Sequence, residues 1–229
     1  MKPTSQPSLC VVIPAFNEGR SVGNVVGKVK EVYPHVVVVD DGSNDDTALQ
    51  SRAAGAVVLS HILNRGQGAA LKTGIDYALG AGAQIVVTFD SDGQHQVEDI
   101  APMIAPILGG AADVALGSRF RSPESNVPPL RKFILKCGIV FTRLVSRIHV
   151  TDTHNGLRAF SRDAASRIEI RQDRMAHASE ILDEIGRLKL RYCEVPVRVV
   201  YSDYAVKKGQ RSSAAFRIIW DFLIGKWER

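Results

Sequence analysis

The segment VVTFDSDGQH (86–95) ends an apolar run with Asp90 and Asp92, followed closely by Gln94 and His95. Two carboxylates at that spacing across a turn can converge on one hard cation and leave positions for water and a substrate's phosphate oxygens. Asp is also a favoured turn residue, so the pair alone is a weak signal. Its place at the end of a strand that reads as buried strengthens it. Asp40 and Asp41 end a second apolar run, before Gly42 and Ser43. A carboxylate there can accept from a nucleobase N–H or a ribose hydroxyl, and a helix start favours a ligand's negative charge. The same residues also suit a plain turn with Ser43 as N-cap. NRGQGAALKTG (64–74) can cradle phosphate through backbone N–H groups, without the Walker pattern or the dinucleotide spacing. His61, His95, His149, His154 and His177 show no ligand spacing within one element. His95 alone among them stands beside the carboxylates.

Elements that alternate along the chain must position these residues. LCVVIP (9–14), HVVVVD (35–40), AVVLS (56–60), QIVVTFD (84–90) and ADVALGS (112–118) read as strands. Between them, helices are expected over about 18–32, 43–54 and 68–82 and near 97–108. Continuous β-branched runs suit a sheet covered on both faces, and the alternation implies right-handed crossovers in a mostly parallel α/β sheet. Ligands bind such a sheet beyond the carboxyl ends of its strands. PAFNE (14–18), DDGSNDD (40–46), NRGQG (64–68), DSDGQH (90–95) and GSRFR (117–121) all fall on that edge.

With 229 residues, 45% of them hydrophobic and 23% charged, the composition is that of an ordinary globular domain, with a flexible tail expected over 1–8. The formal charge of +5 suits anionic partners such as phosphates, nucleotides or a lipid surface. Cys10, Cys137 and Cys193 are too far apart for a metal motif or a disulfide framework, which points to a reducing, cytoplasmic setting. No stretch is apolar for the roughly 18 residues that a membrane span needs. Membrane contact is therefore expected to be peripheral, at the cytosolic face, or through a membrane-protein partner. Two segments suit it. On a helix over 130–148, Lys132, Lys136, Arg143 and Arg147 form a basic stripe opposite Ile134, Phe141, Leu144, Val145 and Ile148. The segment 211–229 contains AAFRIIWDFLIGKW (214–227), apolar nearly all round and suited to the core, a second copy or the membrane interface.

Together VVIPAFNE, VVVVDDGSNDDT, NRGQGAALKTGI, VVTFDSDGQHQVEDI and ALGSRF resemble the family 2 glycosyltransferases of GT-A fold, in particular the dolichyl- or polyprenyl-phosphate sugar synthases. The resemblance spans 9–210 and implies a GT-A domain over those residues. It implies that Pro14, Phe16, Glu18, Asp41, Gly66, Asp90 and Ser91 line the nucleotide-sugar site, with Asp41 reading the base. It further implies that Asp90, Asp92 and Gln94 hold Mg²⁺ or Mn²⁺ against the donor diphosphate. Arg119, Arg131, Lys132 and Arg158, the last in DTHNGLRAFSR (152–162), would meet the acceptor phosphate. Phe16 stands where the branch often has Tyr, Gln67 where Lys is common, and paired membrane helices like those of many bacterial relatives are not expected.

The expected reaction is an inverting, metal-dependent transfer from a nucleoside-diphosphate sugar to a polyprenyl phosphate, with Asp92 and Arg119 as catalytic groups. A phosphate acceptor is already an anionic nucleophile and needs positioning more than a base. A glycan or small-molecule hydroxyl acceptor would need one, and Glu180 or Asp183 is the candidate. The reading of another class is a non-catalytic nucleotide-sugar-binding subunit. Nucleic acid is not an expected partner.

Overall fold

The computed structural model describes residues 8–123 and 148–200. Its elements run β1 (Leu9–Ala15), α1 (Val22–Val32), β2 (Val36–Asp40), α2 (Thr47–Ala53), β3 (Val57–Ser60), α3 (Gln67–Gly80) and β4 (Ile85–Thr88). A 3₁₀ turn (Val97–Asp99) then leads into α4 (Ile100–Leu108), β5 (Val114–Ser118), β6 (Arg158–Ser161), α5 (Arg162–Arg167), α6 (His177–Arg187) and β7 (Tyr192–Pro196). The basic stripe with Arg131 and Lys132, residues 1–7 of the N-terminal tail and the apolar segment 211–229 lie outside the described residues.

The strands form one seven-stranded sheet in the order β3-β2-β1-β4-β6-β5-β7. Side chains alternate across it. Cys10 and Val12 of β1 pack with Val37, Val86, Leu71, Ile75, Phe160 and Ile181 on the face covered by α3, α5 and α6. Val11 and Ile13 pack with Val38, Val87, Val25, Val29, Ile100 and Met103 under α1 and α4. Both faces are covered, which is why the central strands read as unbroken apolar runs.

The departures have physical reasons. The sheet is mostly parallel, as expected, but β6, which the sequence did not announce, is antiparallel to both β4 and β5 and separates them. The first helix begins at Val22, not near Glu18, because the backbone of 17–19 is tied across to the β2–α2 loop. Asn17 N–H donates to Ser43 Oγ, Glu18 N–H to Thr47 Oγ1 and Gly19 N–H to Asp45 Oδ2. Ser43 is thereby used in trans and caps nothing. α2 starts instead at Thr47, whose N–H donates to Asp45 Oδ1 (3.0 Å).

Candidate active site

The carboxyl ends of β1, β2 and β4 bring most of the expected residues to one edge. After β4, Phe89 is fully buried and the chain turns through Asp90, Ser91 and Asp92, with Gly93 at φ 76°. The Ser91 hydroxyl donates to the Pro14 carbonyl (2.9 Å) and ties this turn to the end of β1. The Asp92 carboxylate accepts from the backbone N–H and the side-chain amide of Gln94 (3.0 and 2.6 Å). Asp90 is held from three sides. His95 Nε2 lies 3.0 Å from Oδ2, the Gln67 amide donates to Oδ1 (3.2 Å), and Gly156 lies so close that a Cβ there would collide with the carboxylate.

The two acids differ electrostatically. Burial pushes Asp90 up, but the His95 hydrogen bond and the nearby Arg119 charge outweigh it, so Asp90 lies below the usual carboxylate range. Asp92 lies above its usual range, raised by burial and then by the charge of Asp90. A cation between them would relieve that repulsion. Among the described residues no third His, Cys, Asp or Glu completes a metal-holding cluster. Two hard oxygen donors with Gln94 alongside therefore fit a cation that keeps water and substrate oxygens in its shell, the habit of Mg²⁺.

On the β1–β2 side Phe16 is 40% exposed, whereas Glu18 is buried and accepts from the Ser21 hydroxyl (2.7 Å). Asp41 is buried and its oxygens are engaged. His61 Nδ1 lies 2.6 Å from Oδ1, Arg65 N–H donates to the same oxygen (3.0 Å), and Gly66 N–H donates to Oδ2 (2.6 Å). The N–H groups of 65 and 66, expected to cradle a phosphate, are thus turned onto Asp41. In this arrangement Asp41 clamps the β3–α3 loop. His61 extends the clamp to Thr73 Oγ1 (3.0 Å).

The β5–β6 side carries a buried cationic layer. Arg119 donates through Nε to Asp152 Oδ2 (2.6 Å) and through Nη2 to the His154 carbonyl (2.9 Å), with its own backbone N–H on the same carboxylate. Arg158 is buried with its guanidinium donating to the carbonyls of Thr153, Asn155 and Ala178. Desolvation pushes it down to about 10, against the pull of Asp90 and Asp152. His154 and His177 are driven by burial down to about 4 and are neutral at pH 7. Arg119 and Arg158, expected from the resemblance to meet an acceptor phosphate, are both buried with their charges near Asp90.

Glu180 requires a correction. It is 2% exposed, and its Oε2 accepts from the backbone N–H groups of Arg171 and Gln172 (3.0 and 2.8 Å). That carboxylate shapes the 171–174 loop and lacks the access that a base for a hydroxyl acceptor needs. The loop in turn closes over the start of α3, where a Cβ on Gly66 or Gly68 would strike the carbonyls of Asp173 and Gln172. Sequence reading missed Asp152, His61 and the contact of Gln67 with Asp90. The only signal for Asp152 was its place in DTHNGLRAFSR.

A mixed sheet of this order, with paired acids at the end of its fourth strand, has the GT-A architecture. Glucosyl-3-phosphoglycerate synthase of Mycobacterium tuberculosis, solved with Mg²⁺ and uridine diphosphate, superposes with a TM-score of 0.65 at 21% identity, over 94% of this chain and 79% of that one. The sequence profile described as Glycosyl transferase family 2 matches residues 10–169, and the chain belongs to that family. Its relatives include an uncharacterized protein of Methanocaldococcus jannaschii, 38% identical over 97% of this chain and 93% of its own. The UDP-N-acetylglucosamine–dolichyl-phosphate N-acetylglucosaminyltransferase of Methanococcus voltae is 34% identical (94% and 95%). The undecaprenyl-phosphate mannosyltransferase of Micrococcus luteus is 30% identical (95% of each). Among the described residues no helix is long and apolar enough to cross a membrane.

Proposed function

We propose that the protein moves a sugar, with inversion, from a nucleoside-diphosphate sugar to a polyprenyl phosphate at the cytosolic membrane surface. The observation that carries this reading is the Asp90–Asp92 pair, one acid depressed and one raised, at the end of β4. It stands in a chain whose near-full-length relatives are named for transfer to dolichyl and undecaprenyl phosphate.

In this reading Pro14, Phe16 and Glu18 line the nucleoside side, and the Asp41 clamp sets the Gly66 loop beside the diphosphate. Asp90, Asp92 and Gln94 hold Mg²⁺ or Mn²⁺, which when bound supplies Lewis-acid stabilisation of the departing diphosphate. Arg119 and Arg158 contribute fixed positive charge under the site, where low dielectric strengthens it and no reorganisation is needed during reaction. A phosphate acceptor needs orientation and no base, which agrees with Glu180 being committed to the 171–172 backbone. Arg131 and Lys132 remain proposed acceptor contacts, and the basic stripe and apolar C-terminal segment remain proposed membrane contacts.

The test is incubation with a panel of UDP- and GDP-sugars, a short prenyl phosphate and Mg²⁺ or Mn²⁺, with products read by mass spectrometry. A prenyl-phosphate sugar that disappears with EDTA is expected. Donor binding without turnover across the panel would make the protein a nucleotide-sugar-binding subunit and overturn the proposal.

A further inference from the structure

His95 is buried, with one ring nitrogen on Asp90 and the other, Nδ1, without a hydrogen-bond partner among the described residues. Leaving a buried ring nitrogen unpaired is costly, so the ring's placement calls for a cause. Two features fix it. The ring meets Phe89 edge-on, with centroids 5.6 Å apart and planes at 63°. Its backbone bridges antiparallel to Val199, and Val200 N–H donates to the Gln94 carbonyl (3.0 Å). The tautomer follows from the surroundings. A hydrogen on Nδ1 would be buried without an acceptor and would turn the Nε2 lone pair onto a carboxylate oxygen, so the hydrogen sits on Nε2 and is donated to Asp90 Oδ2.

We infer that His95, seconded by Gln67 on the opposite oxygen, is a positioning residue that fixes the Asp90 carboxylate for a divalent cation. The inference rests on the proposed reading of Asp90 as a cation ligand. Groups that orient a ligating side chain from behind act on affinity without touching the metal. His95 meets that description through the carboxylate, with its ring locked by Phe89 and its backbone by Val199. Gln67 acts from the first turn of α3, so the carboxylate is braced from two different elements.

The roles of the two ring nitrogens make the test selective. A Gln side chain places an amide nitrogen where Nε2 stands, whereas an Asn side chain reaches only to the position of Nδ1. The probe is Mn²⁺, titrated alone and with UDP or GDP, with free Mn²⁺ followed by electron paramagnetic resonance. His95→Asn should raise the Mn²⁺ Kd by about 10-fold or more, and His95→Gln should stay within about threefold of the parent, the second-sphere range being about 10–100-fold. Thermal unfolding of each variant separates this from a general loss of structure, which would lower both alike and leave Mn²⁺ affinity in step with Tm. Gln67→Met removes the other donor outside the His95 packing and should also weaken Mn²⁺ binding. Equal Mn²⁺ affinity in the Asn and Gln chains, or no loss in Gln67→Met, would overturn the positioning role while leaving the proposed function standing. A parent protein that binds no Mn²⁺ under any of these conditions would overturn both.

Discussion

The half of the sheet from β3 to β4 and the half from β6 to β7 solve the problem of polar groups in opposite ways. In the first half the strands are parallel and apolar, and acids such as Asp40, Asp41, Asp90 and Asp92 appear only where strands end. Those acids are satisfied by nearby loop donors, as Asp41 is by the 65–66 backbone and His61. In the second half an antiparallel strand opens with the buried Arg158, and Arg119, Asp152, His177 and Glu180 lie buried beneath the site. The first half places its acids on short, pinned loops. The second half supports them with charge kept out of water, where losing one partner costs far more than at the surface.

The largest expected effect is on the line between the halves. Asp92→Asn should lower kcat by about 10²–10³, in the range seen when one preorganised electrostatic group is lost. It should nevertheless raise Tm at pH 7. A carboxyl whose folded pKa is raised gives its stability below the unfolded value and loses it as pH rises, so removing the charge relieves the folded state. A lower Tm together with near-normal kcat would break the assignment of Asp92 to function.

Next comes the buried pair of the second half. Arg119→Ala strands Asp152, 1% exposed at its side chain, and should cost about 3–5 kcal/mol in denaturant unfolding. An exposed control from the first half, Lys72→Ala, breaks an ion pair with Asp76 that is open to water and should cost less than about 1 kcal/mol. Similar losses in both would erase the distinction between the halves.

The pH dependence should also be a property of the second half. His154 and His177 have folded values of about 4, below the ordinary value of about 6.5. Between those values the unfolded chain binds protons that the folded chain refuses, so stability holds above pH 6.5 and falls as pH drops toward 4. The buried His177 imidazole contributes on the order of 3 kcal/mol to that fall, and the half-buried His154 less. His177→Gln should flatten the slope of unfolding free energy between pH 6.5 and 4, and an unchanged slope would remove His177 from the account. The smallest effect is that of Glu180→Gln, about 1–3 kcal/mol of stability through the 171–172 backbone, with prenyl-phosphate transfer reduced only modestly. A collapse of kcat with unchanged stability would restore Glu180 as a base.

The same contrast explains what could be read in the sequence. Val36–Asp40 and Ile85–Thr88 are recognisable because strands buried on both faces carry unbroken apolar runs, and Asp90 and Asp92 stand out against that background. β6 is as short as β4 but begins with an arginine and holds no apolar run to mark it. Asp152 lies 33 residues from Arg119, and nothing local announces that the two are one ion pair. Ser43 has the composition of a cap, but its hydroxyl is taken by Asn17 from another loop. Local propensity yields to tertiary contacts where loops from two crossovers meet.

The central claim, a phosphate nucleophile needing no base, is tested most directly by competing two acceptors that differ in one group. A short prenyl phosphate and the matching prenol are offered with the same nucleotide sugar and Mn²⁺, and both products are followed by mass spectrometry over the range pH 6–9. The account predicts sugar on the phosphate only. Sugar on the prenol at a comparable rate would contradict it, because the protein would then be activating a hydroxyl.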